Sequence, residues 1–375
     1  MHAWKLVAIV CLIRATTATA AEWNVIKHDG RDYVSFRNLA EFYHFGEYSH
    51  DANRNVSLRS DRRGIRAQAD SSEIYINGVR FFTNLPIVGK GDESLISATD
   101  VGKIVEPVLR PSRIRDAQKV ETVVLDPGHG GTDGGTANEW GSEKQFALDV
   151  ALAARDELMR AGYKVEMTRS GDSGISLEDR TEFANRFSNA VLVSIHFNSG
   201  NGGAGVESYA LAPEGVASNA SAEGEHHASA TDSSPDEGNA QDSENIALAA
   251  AVHASVVSRA SAFDRGIRHA RFKVLRHIHI PAVLLEAGFL NNPTDATRIA
   301  TPQYRAQLGS AIAQGVQSYN AAVNYRSNNS DTFAVVRTTL PAHARSITEP
   351  LDSLQTQVPS EAPDAPSISI NGGQH

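Results

Sequence analysis

The sequence predicts an α/β fold, with a mostly parallel sheet flanked by helices, preceded by a small α+β domain. Two observations predict it. Short apolar runs at Thr122–Leu125, Ala190–Ile195 and Ala282–Leu285, together with the strand Tyr163–Thr168, alternate with segments whose apolar residues recur at helical spacing, the pattern of a parallel sheet. Between residues 22 and 118, by contrast, β-prone pieces such as Tyr33-Val34-Ser35-Phe36 and Ile74-Tyr75-Ile76 sit between turn signals, Asp29-Gly30 and Asn77-Gly78.

Taken in order, residues 1–20 read as a signal peptide. Met1 to Lys5 carries a positive charge, Leu6 to Ile13 is an apolar run, and Ala18-Thr19-Ala20 offers small residues for cleavage. The run is too short to span a bilayer, so no stable membrane anchor is expected. Cys11, the only cysteine, lies inside it, and the mature chain uses neither disulfides nor cysteine catalysis. Export follows, with the periplasm preferred to full secretion. Residues 22–118 form the accessory domain, in which YVSFRNLAEFY and LISATDVGKIV both read as a strand followed by a short helix.

Residues 119–324 form the main domain. Ser142 is placed to N-cap a helix whose apolar face is Phe146, Val150, Ala154 and Leu158, with Gly162 as its stop. Tyr163–Thr168 is the next strand, and 176–188 a helix opened by a Ser176/Asp179 capping box. Further helices are expected over 242–260 and 303–323. The stretch 213–245 is rich in Ala, Ser, Gly and acids, builds no core by itself, and reads as a surface excursion. The tail, 325–375, is interrupted by five prolines from Pro341 to Pro366 and is expected to be largely disordered, with Phe333 to Val336 packing locally.

Bulk properties bound the size and class of the chain. The 375 residues, 41% hydrophobic, suffice for a large core plus an accessory domain. The formal net charge is −9, but residues 213–244 hold eight Asp or Glu and no Lys or Arg, which leaves about −1 elsewhere. The acidity is local. The total charge therefore carries no inference about nucleic acid or membranes.

Four side chains carry the chemistry. His129 follows the first strand within LDPGHGG, His196 and Glu286 follow the strands Ala190–Ile195 and Ala282–Leu285, and ligands gather at the carboxyl ends of strands in such sheets. Glu143 opens the helix after Ser142 and would lie beside those strand ends, although an acid there also complements the helix dipole without further purpose. Two histidines and one glutamate are a usual ligand set of catalytic zinc, which keeps a fourth position for water, and a spare carboxylate can take that water's proton. Asp126 either orients His129 or is only turn chemistry, the turn being favoured. The glycines at 128, 130, 131, 134 and 135 are followed by no phosphate-binding step and more simply let backbone pass close to the site. Asn198 and Arg265 are weaker candidates for substrate contact.

DPGHGGTDGGT, then GSEK, SIHFNS, DRG and PAVLLEAGFLNN, in this order over residues 121–322, resemble the zinc-dependent N-acetylmuramoyl-L-alanine amidases of the amidase-3 family. The resemblance implies one zinc ion per catalytic domain on His129, Glu143 and His196, and a catalytic carboxylate at Glu286. It implies peptidoglycan as substrate, cut at the amide between the lactyl group of N-acetylmuramic acid and the L-alanine of the stem peptide. On the strength of that cell-wall resemblance, a monomer with no nucleic-acid partner is expected. In some periplasmic relatives an insertion after the second histidine silences the enzyme until an activator protein arrives. Glu223, Glu225, His226 and His227 could supply a blocking ligand here, but the stretch lacks the apolar helical pattern of a stable plug and reads rather as a rim. Residues 22–118 resemble the N-terminal-domain-like module of copper amine oxidases found in exported cell-wall proteins. That implies docking on wall polymer or a partner and no copper, with His28, His44 and His50 structural; deleting the module is expected to weaken binding to insoluble peptidoglycan and spare hydrolysis of small muropeptides. Two alternatives remain open: a zinc peptidase cutting within the stem peptide, and a non-catalytic wall-binding protein.

Overall fold

The computed structural model describes residues 23–200, 203–220 and 232–325. The expected leader up to residue 22, residues 221–231 of the expected excursion (Glu223, Glu225, His226 and His227 included) and the expected tail from residue 326 lie outside these.

Residues 122–289 are built on strands in the spatial order Lys164–Met167, Thr122–Pro127, Ala190–Asn198, Ala282–Phe289, Val206–Leu211 and Asp264–Ala270. Every neighbouring pair is parallel except Val206–Leu211 against Ala282–Phe289. Such strands are covered on both faces, which is why Thr122–Pro127 and Ala282–Phe289 are buried at every position and read as continuous apolar runs rather than alternating ones. Successive side chains divide between two cores. Val123, Val191, Val193 and Leu285 face the long helices Glu143–Arg160, Asp242–Ala260 and Pro302–Val323. Val124, Leu192, Leu284 and Tyr209 face a thinner layer that includes Leu177–Ala184 and Lys273–Arg276.

The helices follow their local signals with small shifts. Ser176 accepts the amide of Asp179 and starts the helix Leu177–Ala184, which ends four residues before the expected Ser188. Ser142 occupies the N-cap position of Glu143–Arg160, but its hydroxyl makes no capping bond. The Glu143 amide donates instead to the Thr136 carbonyl at 2.7 Å, because the glycine-rich loop folds back over the helix start.

The two echoing segments near the N-terminus are indeed strand-helix units. Arg31–Ser35 leads into Phe36–Phe42 and Glu93–Ser97 into Ala98–Asp100, with Ser35 and Ser97 each capping the turn and the two strands paired antiparallel. The remaining N-terminal strands do not stand apart. Val79–Phe82 lies parallel to Asp264–Ala270, with Phe81 opposite Ile267, so the meander Glu47–Phe82 prolongs this sheet to eleven strands. Side chains fasten the same seam: Lys103 to Asp242 at 2.8 Å, and the Arg80 amide to Asp264 at 3.0 Å.

The excursion after Leu211 is pinned at its ends by Arg271, a fully buried arginine. It donates to the carbonyls of Pro213, Val216 and Asp232 and pairs with Asp236 at 2.5 Å. No helix among the described residues is long and apolar enough to cross a membrane.

Candidate metal centre and catalytic cleft

Past Pro127 the chain turns sharply into Gly128-His129-Gly130-Gly131. His129 has φ of 58°, in the left-handed region where a β-carbon is disfavoured, and such strain persists only where the surroundings over-determine it. Two buried arginines supply that constraint. Arg169 donates to the carbonyls of Pro127 at 3.0 Å and Gly128 at 2.7 Å, and Arg180 to those of Pro127 at 2.8 Å and His129 at 2.7 Å. Arg180 also pairs with the wholly buried Asp126, which accepts the hydroxyls of Thr168 at 2.6 Å and Ser194 at 2.8 Å. Burial pushes the Asp126 pKa up, but the Arg180 charge and these bonds outweigh it and hold the carboxyl below its ordinary range. Asp126 therefore neither orients His129 nor serves as mere turn chemistry. It is the counter-ion of the arginine that grips the loop.

Glu143, the first residue of its helix, points into the cleft. Its Oε1 lies 3.0 Å from His129 Nε2 and 3.0 Å from His196 Nδ1, and accepts the Phe197 amide at 3.1 Å, while Oε2 accepts the Thr136 amide at 3.1 Å. One donor atom from each of His129, Glu143 and His196 lies within 4.8 Å of the others, so the three side chains can hold a metal ion. His28, His44 and His50 join no such group among the described residues. Burial lowers the His129 pKa, but hydrogen bonds and charge from Glu143 and then Asp133 overcome this and push it up to about 9. The converse holds for Glu143: burial raises its pKa, and the two imidazoles pull it below the usual carboxylate range.

The donor set suits zinc, being imidazole and carboxylate with three protein ligands. Two glycines leave it room. A Cβ on Gly128 would sit 2.2 Å from the His196 ring, and one on Gly135 would sit 2.6 Å from Glu143 Oε2 and 2.7 Å from His129 Cδ2. Asp133, four residues after His129 in the same loop, lies 2.9 Å from His129 Nδ1 and fixes which ring nitrogen faces the cluster. Sequence reasoning missed it, although an Asp so soon after a ligand histidine is a signal of the right kind.

Glu286 stands inside its strand rather than past the end, as does His196, and the two are direct partners on adjacent parallel strands. Register partners share a face at about 4.8 Å between strands, so the Glu286 side chain leaves the sheet on the same, thinner-layered side as His196. Its neighbour on the other side is Glu207, also buried. The phenol of Tyr209 is pushed well above its ordinary pKa by burial, then by Glu207 and Glu286.

A family model described as N-acetylmuramoyl-L-alanine amidase matches residues 123–318, which span the loop, the three-donor cluster and Glu286. The chain belongs to this family. Its amidase relatives include the sporulation-specific N-acetylmuramoyl-L-alanine amidase of Bacillus subtilis, 32% identical over 201 residues that cover 53% of this chain and 68% of that protein. The N-acetylmuramoyl-L-alanine amidase AmiA of Escherichia coli is 32% identical over 221 residues, 52% of this chain and 75% of the other. A crystal structure of an N-acetylmuramoyl-L-alanine amidase from Clostridium difficile 630 aligns at 34% identity and a TM-score of 0.43, covering 54% of this chain and 97% of that one. The family match begins at residue 123, so the N-terminal strands lie outside the matched residues.

Proposed function

We propose that this amidase hydrolyses the amide joining the lactyl group of N-acetylmuramic acid to the L-alanine of the stem peptide, in remodelling of exported cell wall, with one zinc ion held by His129, Glu143 and His196. The observation that supports the reading is the in-register pairing of Glu286 with His196, one member of a three-donor cluster, on the adjacent parallel strand. Zinc, when bound, would act as a Lewis acid on the amide carbonyl and lower the pKa of water to about 7. Glu286 takes the proton of the attacking water and returns it to the departing alanine nitrogen. Glu143 joins the two imidazoles through one oxygen and is held through the other by the Thr136 amide, so the ligand set is preorganised. Asp133 holds the His129 ring by its remaining nitrogen.

The test is digestion of purified sacculi with and without chelator, read by mass spectrometry beside the zinc content of each variant. Glu286→Gln is expected to abolish release of whole stem peptides with zinc retained; loss of zinc in that variant would make Glu286 a ligand instead. His129→Ala and His196→Ala are expected to lose metal and activity together. The same proposal divides the chain into a leader at 1–20, an accessory module at 22–118 that meets wall polymer, and a catalytic region at 119–324. Export to the periplasm belongs to it, argued from the leader and the cell-wall substrate.

A further inference from the structure

We propose that Arg265 and Arg268 form a carboxylate-binding subsite beside Glu286, which selects stem peptides by their free carboxylates; it rests on the amidase reading above. Glu286 is the register partner of Glu207, and Glu207 of Gly266 on the next strand. With about 4.8 Å between strands, the strand that carries the arginines runs about 10 Å from the Glu286 strand, the span of about three extended residues. A peptide leaving the scissile amide across the sheet would reach the arginines with the residues just past L-alanine.

The two guanidiniums share one contacting carboxylate. Glu207 Oε1 lies 3.0 Å from Arg265 Nε and 3.8 Å from Arg268 Nε, so one buried carboxylate serves two guanidinium groups. Its other oxygen is taken by Asn198 Nδ2 and the Tyr209 hydroxyl, each at 3.2 Å. The next arginine along, Arg80, is already paired with Glu73.

The geometry is also preset. The Arg265 guanidinium stacks on Phe289 at 4.7 Å and that of Arg268 on Phe82 at 3.5 Å, and Glu207 approaches both from the Nε side. Among the described residues, Glu207 and the Phe289 ring are the charged and aromatic partners of Arg265, and its two Nη atoms donate to no protein group. The Arg265 guanidinium so held presents a two-pronged donor that fits a carboxylate, while Arg268 gives its Nη1 to the Asn219 carbonyl at 3.3 Å and adds its charge and its other Nη. The side chains are 30% and 17% exposed, so a ligand can reach them. Gly266 keeps the strand open between them, since a Cβ there would sit 2.7 Å from the Phe82 ring. Phe82 belongs to the N-terminal meander, which thereby contributes to the cleft wall.

The experiment uses the full chain carrying Glu286→Gln, titrated by calorimetry with a muramoyl tripeptide bearing free carboxylates and with the same peptide whose carboxylates are amidated. The acid form is expected to bind at least about tenfold more tightly. In Arg265→Gln or Arg268→Gln on that background the ratio is expected to fall to within about twofold, with Arg265→Lys retaining part of it. Equal affinities in the parent, or equal weakening of both ligands by either glutamine variant, would overturn the subsite. The amidase reading stands or falls separately, on release of stem peptides from sacculi by the unsubstituted enzyme.

Discussion

Removing the Arg180 guanidinium while keeping its volume, as in Arg180→Met, tests whether a buried ion pair sets the metal-binding loop. Asp126 is fully buried and Arg180 nearly so, and the guanidinium also feeds the carbonyls of Pro127 and His129. Breaking a buried pair from one side costs about 3–5 kcal/mol, because the remaining charge keeps its desolvation penalty. That is a large share of the roughly 5–15 kcal/mol that holds a domain folded. At about 2–4 °C per kcal/mol, the melting temperature should fall by about 6–20 °C. The sign of the pH effect is fixed too. With Arg180 present the Asp126 pKa is depressed, so the pair's contribution is complete above about pH 4 and fades as pH falls through the folded pKa. Without Arg180, burial raises that pKa and the acid protonates sooner, so the variant's deficit should shrink as the pH is lowered from 7 to 4. Urea titrations at several pH values measure this, and the double variant with Asp126→Asn gives the coupling energy. A deficit under about 1 kcal/mol at pH 7, or one that does not narrow in acid, would refute the argument.

Asp133→Asn should fold normally and weaken zinc affinity by about 10–100-fold, read by competition with a chelator, since it removes the charged acceptor behind His129. Gly128→Ala should displace the His196 ring and lower zinc stoichiometry, and full zinc occupancy would contradict the close approach. Burial pushes the His269 pKa down to about 4, with Lys103 adding to the effect. Between about pH 6.5 and 4 the unfolded chain therefore binds the extra proton, and stability should drop by up to about 3 kcal/mol as pH falls through that window. His269→Gln should flatten that slope, and an unchanged slope would disprove the assignment.

Much of the cleft is legible because strands and motifs are local. Thr122–Leu125, Ala190–Ile195 and Ala282–Leu285 are apolar runs followed by chemically unusual residues, and a parallel sheet brings such ends together whatever the loops do. The register was not legible: His196 and Glu286 sit within their strands, and nothing local states that they are partners. Arg169, Arg180 and Glu207 were invisible for a related reason. A lone Arg in a loop or short helix looks like a solvated residue until the fold buries it against carbonyls from a loop more than 40 positions away. Asp126 was misread because its partner lies 54 residues on and a DPG triplet already explains a turn.

The seam between the two parts changes what deletion of the N-terminal region can report. Val79–Phe82 covers the edge of Asp264–Ala270, and an uncovered edge strand offers unpaired amides and carbonyls to any other chain. Removing residues 23–118 would also strip Phe82 from Arg268, Lys103 from Asp242 and the Arg80 amide from Asp264. Truncation is therefore expected to give aggregation or lower stability, visible as a lower melting temperature and light scattering, before any loss of wall affinity can be read. Point substitutions on the outer strand Glu47–His50, far from the seam in strand order, separate the two effects: they should alter sedimentation with sacculi and leave melting unchanged. If a truncated chain instead stays monomeric and melts with the full-length protein, the shared sheet is not a structural necessity, and the N-terminal strands are an independent module after all.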